Sequence, residues 1–352
     1  MSLAESPFRP PRGLRNAHVQ SMLSSGPARA RHASRMLAAT GARHETLLLD
    51  AGDGARLQGV LSRVPGVPGE DLVVLLHGWE GSSESSYLRV TAARLLARGW
   101  RVFRLNFRDH GDTHHLNREI FHSGRIDEVV AATSSLVSRL GVSRLMVGGW
   151  SLGGNFALRL ALRSRAAGLP LAGVAAVCPA IDPARTMEAM ESGLPIYQRY
   201  FEHKWRRSLA RKRDLFPEAH DYGDDVLRLR MRALTAHFVS RHTEYGTLDA
   251  YFDAYSIAGD RLGGLPVDAD ILMAEDDPVV PAADFHAIAR HPRVSVELSR
   301  HGGHCGFVAD WRMRGYAERW MERQVARRLG AAPAEAAKLA HPNTEDPDEA
   351  SQ

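Results

Sequence analysis

Residues 147–156 read VGGWSLGGNF, which sets one serine between glycines directly after a run of strand-forming residues. Inside a helix glycine costs about 1 kcal/mol relative to alanine, so Gly149, Gly153 and Gly154 serve something other than helix stability. The pattern G-x-S-x-G between a strand and a helix is that of a nucleophile elbow. Its tight turn lifts the serine hydroxyl clear of the sheet edge, and side chains two residues to either side would strike neighbouring backbone. Gly149 and Gly153 occupy those positions around Ser151, and NFALRLALRSR supplies the helix.

A hydroxyl attacks only when a base takes its proton, and that base is expected on a loop after the last strand. SRHGGHCGF, residues 299–307, follows the strand-like RVSVELS, and Gly302 and Gly303 permit close approach. His304 is the expected base, with His301, before the glycines, as its rival. The base needs an acid to fix its tautomer and to stabilise the imidazolium formed during attack. ILMAEDDPVVP, residues 271–281, offers Asp277, while Asp276 and Glu275 could cap or brace the turn and Asp182 is a further candidate. Backbone donors must meet the developing oxyanion. The N–H of Leu152, at the start of the helix after the serine, and that of Trp79, after DLVVLLHG, are the expected pair. His77 reads as a buried histidine that orients the Trp79 loop.

Other groupings are weaker. NFRDHGDTHHLN gathers His110, His114 and His115, but the spacing matches no zinc signature and a polar pocket rim accounts for it better. His122 and Asp127 satisfy H-x-x-x-x-D, a pattern of some acyltransferases, although a cap on the following helix accounts for Asp127 equally. RYFEHKWRRSLARKR, residues 199–213, holds seven basic residues and one acid around Tyr200, Phe201 and Trp205. It could lie on a membrane surface, but a solvated helix face packing its aromatics on the core is the favoured reading.

Eight apolar runs bounded by turn signals, at 45–50, 55–62, 71–78, 99–107, 143–149, 171–178, 267–274 and 293–299, are expected strands. Helix-period segments such as 87–99 and 125–141 alternate with the later ones, which implies a mainly parallel sheet with helices on both faces. The rhythm breaks at residues 183–264, a stretch with no convincing strand that reads as a helical cap or lid. The α/β core is therefore expected over 45–182 and 265–329. An irregular N-terminal arm, rich in Arg, Pro and Ser, is expected over 1–44, and a disordered tail over 330–352.

The formal charge is +4, but all but three of the 45 basic residues are arginine, and no zinc-finger or helix-turn-helix spacing accompanies them. Nucleic acid is not an expected partner. The two cysteines, Cys178 and Cys305, form no disulfide framework, no run approaches a membrane span, and the first residues lack a secretory signal. A cytoplasmic protein with no stable membrane insertion is expected.

Together LLHGWEGSSESSYLRVTAARLLARGWRVFRLNFRDHGDT, GGWSLGGN, AEDDPVVP and HGGHCGF resemble the α/β-hydrolase superfamily. PFRPPRGLRNAHVQSML (7–23), FHSGRIDEV (121–129) and GLPIYQRYF (193–201) resemble segments of its YheT-like branch, so the likeness runs over roughly residues 7–325. The resemblance implies the α/β-hydrolase fold with a Ser-Asp-His charge relay on Ser151, Asp277 and His304, in the chain order of that fold. It also implies carboxylesterase-like activity, often on short acyl esters in bacterial members, with no cofactor and no metal. Eukaryotic relatives begin with a membrane anchor and act on lipids; no such anchor is read here, so bilayer substrates are not expected. Where the family usually has glycine after Asn-Phe-Arg, this chain has Asp109. The expected activity is that of a serine carboxylesterase on a small-molecule ester of short to medium acyl length. An acyltransferase, a lipid-acting hydrolase or a non-catalytic receptor on the same fold are the alternatives. Acyl length, alcohol and oligomeric state are not fixed by the residues.

Overall fold

The computed structural model describes residues 2–330 apart from 68, 287 and 289, so the tail expected beyond Gly330 lies outside the described residues. The apolar runs form strands of one sheet: β1 (Ser2–Glu5), β2 (Arg43–Asp50), β3 (Arg56–Arg63), β4 (Asp71–Leu76), β5 (Arg101–Leu105), β6 (Arg144–Trp150), β7 (Leu171–Val177), β8 (Ala269–Ala274) and β9 (Val294–Ser299). Their spatial order is β1-β9-β8-β7-β6-β4-β5-β3-β2. The β2–β3 and β3–β5 pairs are antiparallel and all others parallel. Strands β4 and β6–β8 read as nearly unbroken apolar runs because helices cover both faces.

The sheet has nine strands where eight were expected. The extra one, β1, lies parallel to β9 and continues into Ser6, whose N–H donates to the Leu298 carbonyl at 2.8 Å. Four residues are too few to display an alternation, and what makes SLAE a strand is the open edge of β9.

The arm is helical rather than irregular, with α1 at Ala17–Ser24 and α2 at Pro27–Ala39. Local chemistry explains it: the Asn16 side chain accepts from the N–H groups of His18 and Val19 at 3.0 and 3.1 Å, and Pro27 opens α2 at the position where its missing N–H is harmless. Helices α3 (Ser86–Ala97), α4 (Ile126–Leu140) and α5 (Leu152–Ser164) follow in the core. Between β7 and β8 the chain runs through α6 (Pro183–Ser192), α7 (Pro195–Leu215), α8 (Asp224–Leu227), α9 (Met231–His242) and α10 (Leu248–Tyr255) without a strand among the described residues. These helices carry a small apolar centre of their own, in which Leu209, Tyr222, Leu234 and Phe238 meet Ile120. The short α11 (Ala283–His286) and the long α12 (Tyr316–Leu329) complete the chain.

Adjacent residues of β6 show how the layers are divided. A Cβ on Gly148 would meet Met321 of α12, whereas one on Gly149 would meet backbone of α5. Helices α3 and α12 pack together on one face, and α4 and α5 on the other.

Candidate active site

Strand β6 ends at Trp150, and Ser151 turns the chain into α5 with φ 52° and ψ −122°, a left-handed conformation that a serine adopts only under constraint. Its N–H donates to Val177 at 2.9 Å, and its carbonyl accepts from Asn155 at 3.1 Å. The flanking glycines are forced by space. A Cβ at Gly149 would lie 2.1 Å from the Gly153 oxygen, and one at Gly153 would lie 2.4 Å from the carbonyl oxygens of Leu76 and His77.

His304 reaches this serine from the loop after β9, with Nε2 2.8 Å from Ser151 Oγ. Its Nδ1 stands 2.9 Å from Asp277 Oδ2 and 3.1 Å from Oδ1, so Nδ1–H donates to the carboxylate and Nε2 is left to accept. Asp277 is itself fixed by the N–H groups of Val279 and Val280, at 2.8 and 3.0 Å. Burial opposes a charged imidazole at His304. The Asp277 carboxylate, joined by Cys305, overcomes that and raises the histidine's pKa well above its ordinary value.

The rival residues have other occupations. Asp276 accepts from the Gly303 N–H at 2.9 Å and faces His301 Nδ1 at 3.6 Å, bracing the histidine loop from below. Asp182 caps α6 through the N–H groups of Ala184 and Arg185, and Glu275 is exposed.

The N-terminal arm adds contacts that no sequence pattern announced. Ser21 Oγ accepts from the His304 N–H at 2.9 Å, and Gln20 both donates to and accepts from the Val308 backbone, at 3.0 and 2.6 Å. Gly303, at φ 54°, lies so close to α1 that a Cβ would come within 2.2 Å of the Ala17 oxygen. The only signal available was the resemblance carried by segment 7–23, since the arm itself read as irregular.

Among the described residues, neither the Trp79 nor the Leu152 N–H has a hydrogen-bond acceptor, and both residues line the cavity at Ser151. His77 is fully buried, donates from Nδ1 to the Gly78 carbonyl at 2.7 Å and accepts from the Phe107 N–H at 3.3 Å, orienting this loop as expected. Burial first, and His110 second, lower its pKa and keep it neutral. Trp79 stacks on Phe201 of α7, centroids 5.2 Å apart and planes 12° from parallel, and meets Trp205 edge-on at 5.5 Å. Lys204 donates to the Glu80 carbonyl at 2.5 Å, and burial raises the Glu80 carboxyl to about 7. The segment 199–213 thus turns Phe201 and Trp205 inward within α7, while Tyr200 is exposed.

Two cavities meet at Ser151. One of about 110 Å³ is walled mainly by apolar side chains, among them Met187, Met190, Met231, Phe252 and Val279. The other, about 460 Å³, runs past His304, Tyr197 and Tyr200 toward the surface.

The histidines of the 106–117 segment have separate surroundings. His110 donates from Nδ1 to the Arg108 carbonyl at 2.7 Å, His114 Nε2 pairs with Ser208 Oγ at 2.8 Å, and His115 is exposed. Asp127 is not a cap: Arg125 holds the cap position of α4, while Asp127 sits in the first turn, largely exposed and 3.1 Å from Arg163. It favours the helix through the dipole instead. Asp109, at φ 58°, explains its own departure from glycine. Its carboxylate pairs with the buried Lys212 of α7 at 2.7 Å and accepts from the Phe121 N–H at 2.9 Å.

A parallel sheet carrying a strained serine elbow, with a histidine and an aspartate brought to it from the ends of the last two strands, defines a hydrolase architecture. The chain belongs to the α/β hydrolase fold family, whose pattern matches residues 71–310. It is 27% identical over 261 residues to YheT of Escherichia coli (strain K12), a candidate esterase, which spans 72% of this chain and 74% of that one. It is 24% identical over 250 residues to the embryogenesis-associated protein EMB8 of Picea glauca, covering 68% of this chain and 53% of that protein. The chain is thus an α/β hydrolase whose sequence is similar to that of YheT. Among solved structures, the Pyrococcus furiosus esterase Pf2001 shares the fold with a TM-score of 0.54 at 15% identity, over 83% of this chain and 93% of its own. A 2-hydroxy-6-oxo-6-phenylhexa-2,4-dienoate hydrolase from Rhodococcus sp. strain RHA1 does so at 0.52 and 16%, over 82% and 99%.

Proposed function

We propose that this protein is a serine carboxylesterase in which Ser151 is the nucleophile, His304 the base and Asp277 its orienting acid. The observation that carries the proposal is the single imidazole 2.8 Å from Ser151 Oγ on one side and 2.9 Å from Asp277 on the other. In the reaction Ser151 Oγ adds to the ester carbonyl as its proton passes to His304 Nε2. The oxyanion that forms takes hydrogen bonds from the Trp79 and Leu152 N–H groups, each such donor being worth roughly 2.7 to 4 kcal/mol in related sites. His304 then returns the proton to the departing alcohol, and a water activated by the same nitrogen resolves the acyl-enzyme.

The apolar cavity supports an acyl group of short to medium length, and the wider one supports an alcohol group that reaches solvent. Water as the final acceptor is separated from transfer to a second alcohol by analysing products in the presence of added alcohol. Esters of graded acyl length give the chain preference. Ser151→Ala should lower kcat on a p-nitrophenyl ester by about a millionfold and abolish labelling by a fluorophosphonate probe. Substantial turnover in that variant, or a folded native protein that the probe leaves unlabelled, would overturn the proposal.

A further inference from the structure

The chain has two cysteines, Cys178 and Cys305, and both meet at one point beside His304. Cys178 is the first residue after β7, Cys305 follows His304 after β9, and the two strands are separated in the sheet by β8. Both are buried, neither is in a disulfide, and both hold left-handed backbone, φ 44° and 57°. That conformation is unfavourable for a residue with a Cβ and fixes where each side chain points.

Their neighbours leave the sulfurs largely uncommitted. Cys178 Sγ has the Gly303 carbonyl at 3.9 Å, and Cys305 Sγ has the Val177 carbonyl at 3.7 Å and His304 Nε2 at 4.0 Å, all long, weak contacts for sulfur. One ligand atom from each of Cys178, His304 and Cys305 lies within 4.8 Å of the others. Zinc–sulfur and zinc–nitrogen bonds of about 2.3 and 2.0 Å in a tetrahedron put ligand atoms roughly 3.5 to 4 Å apart. The three groups need to close by no more than about 1.3 Å to meet that requirement. Two thiolates and an imidazole are a donor set for a soft or borderline divalent ion, not for magnesium or calcium.

We infer that Cys178, Cys305 and His304 form an inhibitory site for a thiophilic divalent metal ion such as zinc or cadmium. The ion enters by the wider cavity, which His304, Cys305 and Ser151 all line. Binding releases to solvent whatever protons the two sulfurs and His304 Nε2 carry, so that two thiolates and a neutral ring hold the ion, and it occupies Nε2, the nitrogen that otherwise accepts from Ser151 Oγ. Ser151 Oγ or a water completes the tetrahedron. A metal-loaded chain therefore loses its base, and hydrolysis stops until the ion is removed. The loss of hydrolysis rests on the role proposed for His304; uptake of the ion does not.

The test uses the purified full chain stripped of metal and kept reduced. Equilibrium dialysis with zinc should give one tight site per chain. Cadmium should produce the ultraviolet thiolate-to-metal charge-transfer band, and one equivalent of zinc should protect both thiols from a disulfide-forming thiol reagent. Ester turnover should fall on zinc addition and return with a chelator. In Cys178→Ala and Cys305→Ala, each compared with its own metal-free state, zinc should bind more than about a hundredfold more weakly, beyond what loss of an outer-sphere partner causes. Thiols that stay reactive at one equivalent of zinc would overturn the inference. So would unchanged zinc affinity in both variants, or activity restored by a thiol reductant and not by a chelator, which would indicate a disulfide. A chain that takes up zinc with thiol protection but shows no ester turnover at all would count against the esterase reading and leave the metal site standing.

Discussion

At the residue scale, the proposed mechanism turns on the two environments of one imidazole. His304 is buried, which alone would favour the neutral ring, yet Asp277 beside Nδ1 raises its pKa. A base with a raised pKa is protonated at pH values where an ordinary histidine is free, and a protonated Nε2 cannot accept from Ser151. The acid limb of kcat/KM in the free enzyme should therefore lie above the ordinary histidine value of about 6.5, with activity lost as pH falls through it. Asp277→Asn removes the carboxylate and leaves burial acting without it, so the limb should move to lower pH. The same change offers an amide where Nδ1–H needs an acceptor, and kcat should drop by about ten-thousand-fold. A pH–rate series on the two proteins checks both parts, and an unmoved limb would remove Asp277 from the relay. The serine, its glycines, the histidine and the aspartate were all legible in the sequence, because each belongs to a short motif whose residue types follow from local sterics or chemistry. Asp182 was legible as an acid but not as a cap, since only the start of α6 distinguishes the two.

At the scale of elements, the helices between β7 and β8 are fastened to the rest of the chain by polar groups far apart in sequence. Asp109 and Lys212 are both buried. Burial raises the pKa of the first and lowers that of the second, so each pays a desolvation cost that their contact offsets. Removing one partner leaves a charge stranded. Asp109→Gly relieves the left-handed backbone of a non-glycine residue, but Lys212 would then keep the carbonyls of His114 and Asn117 and the face of Phe216, with no carboxylate at Asp109. Chemical denaturation should show a loss of about 3 to 5 kcal/mol for a broken buried pair, less the smaller gain from the glycine. Asp109→Gly combined with Lys212→Met should recover most of that loss, and a double variant no more stable than the single would show that the pair is not what holds α7 down. The sequence displayed α7 as a basic run, and its inward face was legible from Phe201 and Trp205. The partner of Lys212 was not, because a contact between residues about a hundred positions apart leaves no periodicity in either segment. Asp109 was visible only as a departure from glycine.

For the molecule as a whole, the described chain between Ser2 and Leu329 closes on itself at the histidine loop. Strand β1 extends the sheet beyond β9, Arg29 of α2 forms a buried ion pair with Glu318 of α12, and α1 lies against residues 302–306. The arm thereby packs and hydrogen-bonds onto the loop that carries His304, a contact that the sequence showed only as a resemblance without a mechanism. Gln20 is central because one buried amide satisfies both backbone groups of Val308 just past the loop, besides donating to the Leu14 carbonyl. Gln20→Leu keeps the volume roughly constant and strands those groups, each at about 1 to 3 kcal/mol. A lower midpoint in chemical denaturation is expected on that ground alone. If the arm also positions His304, more should follow below the unfolding transition: kcat on a p-nitrophenyl ester should fall while KM stays close to the native value. Fluorophosphonate labelling of Ser151 should slow in proportion, because both reactions need the imidazole in register with the hydroxyl. Ser21→Ala, which removes the acceptor of the His304 N–H and leaves the Val308 clamp intact, strands one group where Gln20→Leu strands the two of Val308, so it should reproduce the kinetic effect with a smaller loss of stability. Native kcat in both variants would reduce the arm to packing.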